Sequence, residues 1–367
     1  MDVILPITIL GLILLIHFTF VNINIGLGFY SLILRFISLR RVEVTSSARK
    51  VFKFMVATEV FSGVYGTMIT VVLAGFFPTL VNIAATILFI PLIISVVGIL
   101  IRITSIAAYW YTWDRISPKI HVAIGVLVAF SGLMIPGGFR YIFALMDYPV
   151  GVLSLTPLSG DPIQALSNPV YPPLLLHTWI GAISIGFLAA ASSLWWSSRK
   201  NGEDLIWSRY AGLIGALLII PQGIIGFWFW SVLSFHSRYL FNSISRSFLP
   251  VEKTSIDVGH SFLAMVLLGI VILVLGVLYY YQPSKRISYT MTILAIASMI
   301  FGEITHDIGR LPYMVIIDNG GLEANLFINR LIVIDPTLVM VGVGLIILMT
   351  AVFVSLLYRY LVKGFIE

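Results

Sequence analysis

Apolar residues run through this chain in long stretches broken by short polar connections. Nine stretches have the length of membrane spans: about 4–37, 52–76, 84–112, 120–146, 172–197, 207–235, 257–282, 287–309 and 337–361. A helix needs roughly 20 apolar residues to cross the hydrocarbon of a bilayer. The first stretch is too long for a secretory signal and no small-residue cleavage site follows it, so it is expected to be a retained helix. The connections 77–83 and 113–119 are short, which predicts that the helices they join are antiparallel neighbours. No internal repeat and no low-complexity segment is visible. The expected fold class is all-α, a polytopic membrane protein of about nine transmembrane helices in a single integral membrane domain over 1–367.

Composition supports this. Of the 367 residues, 59% are hydrophobic and 10% are charged, against about 25% charged in a soluble domain. Mean hydropathy is +1.04. Such a chain cannot cover a water-facing surface, which excludes a soluble enzyme and a nucleic-acid partner. The net charge of +6 marks loops held on the cytoplasmic side. There is no cysteine, so disulfides, thiolate metal sites, iron–sulfur clusters and c-type haem attachment are excluded. Any metal or haem must be held by His, Met or carboxylate.

Basic residues predict the orientation. With the N-terminus outside, fifteen Lys and Arg fall on the cytoplasmic side and six outside: Arg140, Arg238, Arg246, Lys253, Arg310 and Arg330. That bias follows the positive-inside rule and places the C-terminus in the cytoplasm. The longer connections 147–171, 236–256 and 310–336 then face outward. They contain turn formers such as Pro157-Leu158-Ser159-Gly160-Asp161-Pro162 and Asp318-Asn319-Gly320-Gly321. Loops carried on a rigid scaffold commonly hold function.

Ionisable groups at membrane depth are costly and mark candidate sites. His17 falls near mid-membrane in the first span, as either a ligand or a hydrogen-bonded core histidine. His177 and Met265 fall at similar depth in the fifth and seventh spans, a spacing open to axial haem ligation or to ordinary core packing. His260, nearer the water, is a rival to Met265. Glu303, His306, Asp307 and Arg310 crowd the end of the eighth span. Helical spacing puts 303, 307 and 310 on one face and turns His306 about 100° away from Asp307. Glu59 and Arg102 lie at similar depth on adjacent helices and are expected to pair, because an unpaired charge there is very costly.

Several segments, in order, resemble subunit I of the cytochrome bd-type quinol oxidases. His17-Phe18-Thr19-Phe20-Val21 with Gly26-Leu27 is similar to that family's first-helix motif. Trp113-Asp114-Arg115 matches its W-D-R, and Asn168-Pro169 precedes His177-Thr178 where it has H-T. Met265-Val266-Leu267-Leu268-Gly269 and Gly309-Arg310-Leu311-Pro312-Tyr313 resemble two further motifs.

The resemblance implies a fold of two four-helix groups plus a ninth helix. It implies a haem-bearing subunit that carries electrons from membrane quinol through low-spin haem b to high-spin haems, haem b and/or haem d, which reduce oxygen to water. His177 and Met265 would be the axial ligands of the low-spin haem b. His17 would ligate one high-spin haem. Asp307 stands where the family has a glutamate ligand to the other. Arg310 would neutralise propionates or an acidic partner. The loop 236–256 occupies the place of the quinol-binding loop, with Glu252 and Lys253 as candidate quinol contacts. A second membrane subunit, quinol, oxygen and the lipid bilayer would be the partners.

The departures are as informative. The family's two helix 3 glutamates fall on Ile94 and Arg102, and its helix 2 glutamate on about Val72. Its tryptophan one turn before the helix 8 ligand is Glu303 here. The low-spin site therefore reads as intact and the oxygen site as altered. Two other readings stay open: a non-catalytic duplicated partner of such an oxidase, and a transporter with Glu59, Arg102 and Asp307 along a pathway. The latter lacks an evident inverted repeat.

Overall fold

The computed structural model describes residues 4–155, 158–197 and 202–328, with scattered positions between 337 and 355. The ninth expected span lies largely outside the described residues, as do Pro157, Arg199, Lys200, Arg330, Arg359 and Lys363.

Eight helices among the described residues are long and apolar enough to cross a membrane. The chain runs α1 (Ile4–Ile37), α2 (Thr45–Phe76), α3 (Pro78–Ile87), α4 (Phe89–Tyr111) and α5 (Pro118–Asp147). A hairpin of β1 (Val152–Leu155) and β2 (Leu158–Gly160) and the short α6 (Pro162–Ala165) lead into α7 (Tyr171–Ser197). Next come α8 (Gly202–Leu217), α9 (Ile219–His236), α10 (Arg238–Ser245), α11 (Gly259–Tyr281) and α12 (Lys285–Glu303). A π-helical turn, Ile304–Ile308, extends α12 into the hairpin of β3 (Tyr313–Ile317) and β4 (Gly320–Glu323).

Local chemistry sets the helix starts. Ser117 and Ser284 accept from the backbone N–H of Ile120 and Ile287, and Pro118 opens α5. Proline sets the breaks. Pro221 removes an N–H from the sixth span, which divides at Leu218 into α8 and α9. Inside α5, Pro136 loosens the backbone, and three side chains donate to nearby carbonyls. Trp179 Nε1 donates to Leu133 O at 3.1 Å, Ser95 Oγ to Ile135 O at 2.7 Å and Tyr171 OH to Gly137 O at 2.6 Å. In hydrocarbon such neighbours replace the missing water.

Two expectations need correction. Residues 78–83, expected within the 77–83 connection, form the first part of α3 instead of loop, because Pro78 at its first turn starts a helix directly after Phe77. The helix then restarts at Phe89, and α4 packs chiefly along α5 rather than along α2.

The most enclosed span is α7, which contacts α1, α5, α8, α9 and α12. Small residues permit this. A Cβ on Gly186 would lie 2.3 Å from Gly26 Cα, and one on Gly26 would lie 2.6 Å from Gly186 Cα. The backbones of α1 and α7 thus touch, the close approach that small residues give membrane helices. Other faces carry exposed apolar side chains, among them Leu267, Ile270 and Val274 on α11 and Ile94, Leu100 and Ile103 on α4. Lipid or another subunit would cover them.

The 147–171, 236–256 and 310–328 connections gather at one end. Tyr239 N–H donates to Asp318 O at 3.0 Å, and Tyr239 OH donates to Leu311 O at 2.7 Å. Strand β3 packs on α5, and β2 packs on α3. Glu303, His306, Asp307 and Arg310 lie at or just below this loop end.

Candidate functional site

His17 projects from α1 toward α2. Its Nδ1 lies 2.9 Å from the carbonyl oxygen of Ser62. A carbonyl only accepts, so Nδ1 carries the proton and Nε2 keeps its lone pair. Gly66, one turn further along α2, gives the ring its room: a Cβ there would lie 3.1 Å from His17 Cε1.

His177 repeats the arrangement between α7 and α9. Its Nδ1 lies 3.2 Å from Gln222 O, and a Cβ on Gly226 would lie 3.1 Å from its Cε1. Among the described residues neither Nε2 has a hydrogen-bond partner. Metal-binding histidines are commonly held in this way, with the second ring nitrogen donating to a backbone carbonyl. Met265 faces α12. A Cβ on Gly302 would lie 3.1 Å from its sulfur, and Ser298 Oγ donates to the Met265 carbonyl at 3.1 Å.

The end of α12 holds a buried charge network. Asp147, at the end of α5, has a fully buried side chain and accepts from His306 Nε2 at 2.7 Å and Arg310 Nη1 at 3.2 Å. Arg310 Nη2 also donates to Asp307 Oδ1 at 2.5 Å. His306 Nδ1 is 3.8 Å from Asp307 Oδ1. One turn earlier, Glu303 Oε1 meets Arg140 Nη2 at 3.0 Å. The Arg140 guanidinium lies over the rings of Phe18 and Phe143, 4.9 Å from each centroid. Phe18 directly follows His17.

His306 therefore does not turn away from its neighbours as regular helical spacing predicts. The turn at 304–308 is π-helical, and across it His306 reaches Asp147 on α5 and lies 3.8 Å from Asp307. Ligand atoms of Glu303, His306 and Asp307 lie within 4.8 Å of one another. They do not make a three-ligand metal centre as they stand, because Asp147 occupies His306 Nε2 and Arg310 occupies Asp307.

Deeper in the bundle, Arg102 and Glu59 pair as expected. Arg102 Nε donates to both carboxylate oxygens, at 3.1 and 3.0 Å, and Nη2 lies 2.9 Å from Oε2. Arg102 also donates to Val128 O at 2.6 Å and to Asn24 Oδ1. One guanidinium on α4 thus ties together α1, α2 and α5. The Ser62 hydroxyl donates to Glu59 O at 2.8 Å, so the turn of α2 that holds His17 also carries this pair. Ile94 points outward, 44% exposed among apolar neighbours.

At the far end, Trp113 is buried beneath Arg35 and Arg49, and Arg49 pairs with Asp114 at 2.9 Å. In the loop 236–256, Glu252 and Lys253 are exposed. Glu252 accepts from Asn319 Nδ2 at 2.7 Å, which links this loop to the β3–β4 turn. His260 is exposed and bonds Ser247 Oγ at 3.0 Å. The structure thus gathers Glu303, His306, Asp307 and Arg310, while Glu252 and Lys253 stand apart on the surface.

Sequence reasoning missed Asp147 and the roles of Arg140 and Asn24. A signal existed for the first two: Arg140 and Asp147 are seven residues apart and share a face of α5. Asn24 lies seven residues after His17 on α1, by the same rule.

The sequence profile for cytochrome bd terminal oxidase subunit I matches residues 8–229. The chain belongs to that family. The match takes in His17, Trp113-Asp114-Arg115 and His177, and ends before Met265 and the 303–310 network. A chain of the bd oxidase from Geobacillus thermodenitrificans has the same fold, with a TM-score of 0.85 over 99% of this chain and 98% of that one, at 17% identity. No curated protein matches the sequence. As a member of the subunit I family the chain is an oxidoreductase subunit of a multi-subunit membrane complex, and haem is expected of it.

Proposed function

We propose that this chain is the haem-bearing subunit of a respiratory quinol:oxygen oxidoreductase. The observation that carries the reading is the paired treatment of His17 and His177. Each ring has Nδ1 tied to a backbone carbonyl, Nε2 free for iron, and a glycine at its edge. His177 and Met265 would hold a low-spin haem b. His17 would hold a high-spin haem b or haem d, and an acid at the end of α12, Asp307 or Glu303, would serve the other. When bound, the haems supply one-electron transfer and the oxygen chemistry.

The chain's own residues do the rest. The Ser62 and Gln222 carbonyls fix each imidazole in the tautomer that presents a lone pair. Apolar side chains exclude water. Arg140 and Arg310 place two cations at the loop end, where anionic propionates would sit. Glu252 and Lys253 would meet the quinol headgroup on a loop braced against β3–β4. The basic bias supports a reading with this loop end outside and the C-terminus in the cytoplasm. A second membrane subunit would cover part of the exposed apolar surface.

A second reading has a specific observation behind it. Ile94 and Arg102 occupy the places of the family's helix 3 glutamates, and neither can pass a proton: one is apolar and faces outward, the other is locked to Glu59, Asn24 and Val128. A degenerate partner subunit would look like this. Oxygen uptake by the purified complex with reduced quinol separates the two. Quinol-dependent uptake that His17→Ala abolishes supports the working oxidase. Uptake unaffected by His17→Ala assigns the catalysis to another subunit.

A further inference from the structure

We propose that His260 is the side chain that takes the proton from the quinol when it is oxidised. The inference rests on the haem-bearing reading and deepens it, by naming the proton acceptor where the electrons enter.

Three side chains at the start of α11 are joined in series. Ser247 Oγ donates to Asp257 Oδ1 at 2.8 Å. The same oxygen lies 3.0 Å from His260 Nδ1. A hydroxyl has one proton, and Asp257 receives it, because an ionised carboxylate only accepts. Ser247 Oγ therefore accepts from Nδ1–H, which fixes the tautomer and leaves the lone pair on Nε2. Nε2 has no hydrogen-bond partner among the described residues, and His260 is exposed. Asp257 Oδ1 also accepts from the Gly259 N–H at 3.0 Å, which anchors the series to the helix start. A proton gained on Nε2 is favoured by the Asp257 carboxylate behind Ser247. Arg246, at the end of α10, is the opposing cation.

The surroundings fit a quinol. His260, Leu263, Leu267, Ile270 and Val274 recur every three or four residues and form one stripe along α11. The four apolar members are 39%, 61%, 54% and 54% exposed. An exposed apolar stripe that ends on a hydrogen-bonding group matches a molecule with a long hydrocarbon tail and a hydroxylated ring. Phe248 is exposed nearby and stacks on Phe262, 5.6 Å between centroids. Met265 follows His260 by five residues, about 7.5 Å along the helix. Lys253, as an ammonium, has no lone pair to offer. Imidazole titrates nearer neutral pH than the carboxylate of Glu252, so it both takes the proton and releases it.

The step balances. A quinol becomes a quinone by losing two electrons and two protons. The electrons leave one at a time for oxidised low-spin haem. The O–H bond breaks toward Nε2, an N–H bond forms there, and the imidazolium then passes that proton to water at the loop end. The second proton leaves in the same way.

The test follows anaerobic reduction of the low-spin haem in the complete complex with two donors. Duroquinol gives electrons and protons; reduced N,N,N′,N′-tetramethyl-p-phenylenediamine gives an electron and no proton. His260→Ala and His260→Gln should slow reduction by duroquinol about a hundredfold. Both should keep the parent's haem content and its rate with the diamine. Imidazole in the buffer should restore part of the duroquinol rate to His260→Ala, which a structural role would not allow. A duroquinol rate unchanged in both variants overturns the proposal, as does an equal loss with both donors; either result leaves the haem-bearing reading intact. A parent protein without haem overturns both.

Discussion

Arg102 grips Glu59 across two membrane helices, Nη2 to Oε2 at 2.9 Å, with the Arg102 side chain only 2% exposed. Removing Glu59 leaves Arg102 as an uncompensated buried charge, which costs about 3–5 kcal/mol, whereas removing Arg102 costs less, because Glu59 is 26% exposed. Arg102→Met and Glu59→Gln should each lower the yield of folded, detergent-stable protein. The double variant should recover part of it, because no lone charge is left. Fully additive losses in the double-mutant cycle would show that the pair contributes nothing.

His177→Ala and Met265→Leu should each remove the low-spin haem absorption and leave the protein inserted. Neither residue carries a structural hydrogen-bond network that would collapse with it: His177 gives up one contact to Gln222 O. A reduced spectrum unchanged in both variants contradicts the ligand assignment.

Gly186 should tolerate no side chain. Its Cβ position lies 2.3 Å from backbone on α1, so α1 and α7 must part to admit a methyl group. Overpacking of this kind costs about 1–3 kcal/mol. Gly186→Ala should lower the thermal unfolding midpoint of the purified protein, whereas Gly75→Ala, with open space around it, should not. Equal midpoints for the two variants would refute the contact.

The sequence announced the spans well, because eighteen or more apolar residues in a row leave a chain few alternatives to a membrane helix. It announced the Glu59–Arg102 pair too, since matched depth on neighbouring helices leaves a buried charge one place to go. The break at Leu218 and the start of α3 were less legible, because proline says where a helix bends but not how the chain continues. The 303–310 cluster was half legible. The acids and Arg310 fall into place by helical periodicity, but the π-turn breaks that periodicity for His306, and Asp147 arrives from another helix altogether.

Asp257 offers a pH-dependent test outside the membrane. Slight burial opposes its charge, but the Gly259 N–H, the Ser247 hydroxyl and the charges of Arg246 and His260 outweigh this and hold its carboxyl below the usual range. A depressed folded value means the stabilisation is fully present above the ordinary aspartate range and is lost as pH falls through the folded value. The first turn of α11 should therefore lose hydrogen-exchange protection, measured against the intrinsic rate at each pH, as pH falls, and Asp257→Asn should reduce that pH dependence. An Asp257→Asn profile identical to the parent's at every pH would contradict it.

His17, His177, Met265 and an acid of α12 are the proposed haem ligands of this chain. A reduced-minus-oxidised visible spectrum of the purified complex, with extracted haem counted per chain, tests this assignment most directly. Three haems per chain are expected, one low-spin and at least one that binds carbon monoxide. A protein with no haem, or with a single low-spin haem and no carbon monoxide response, would contradict it and leave the scaffold as a partner subunit.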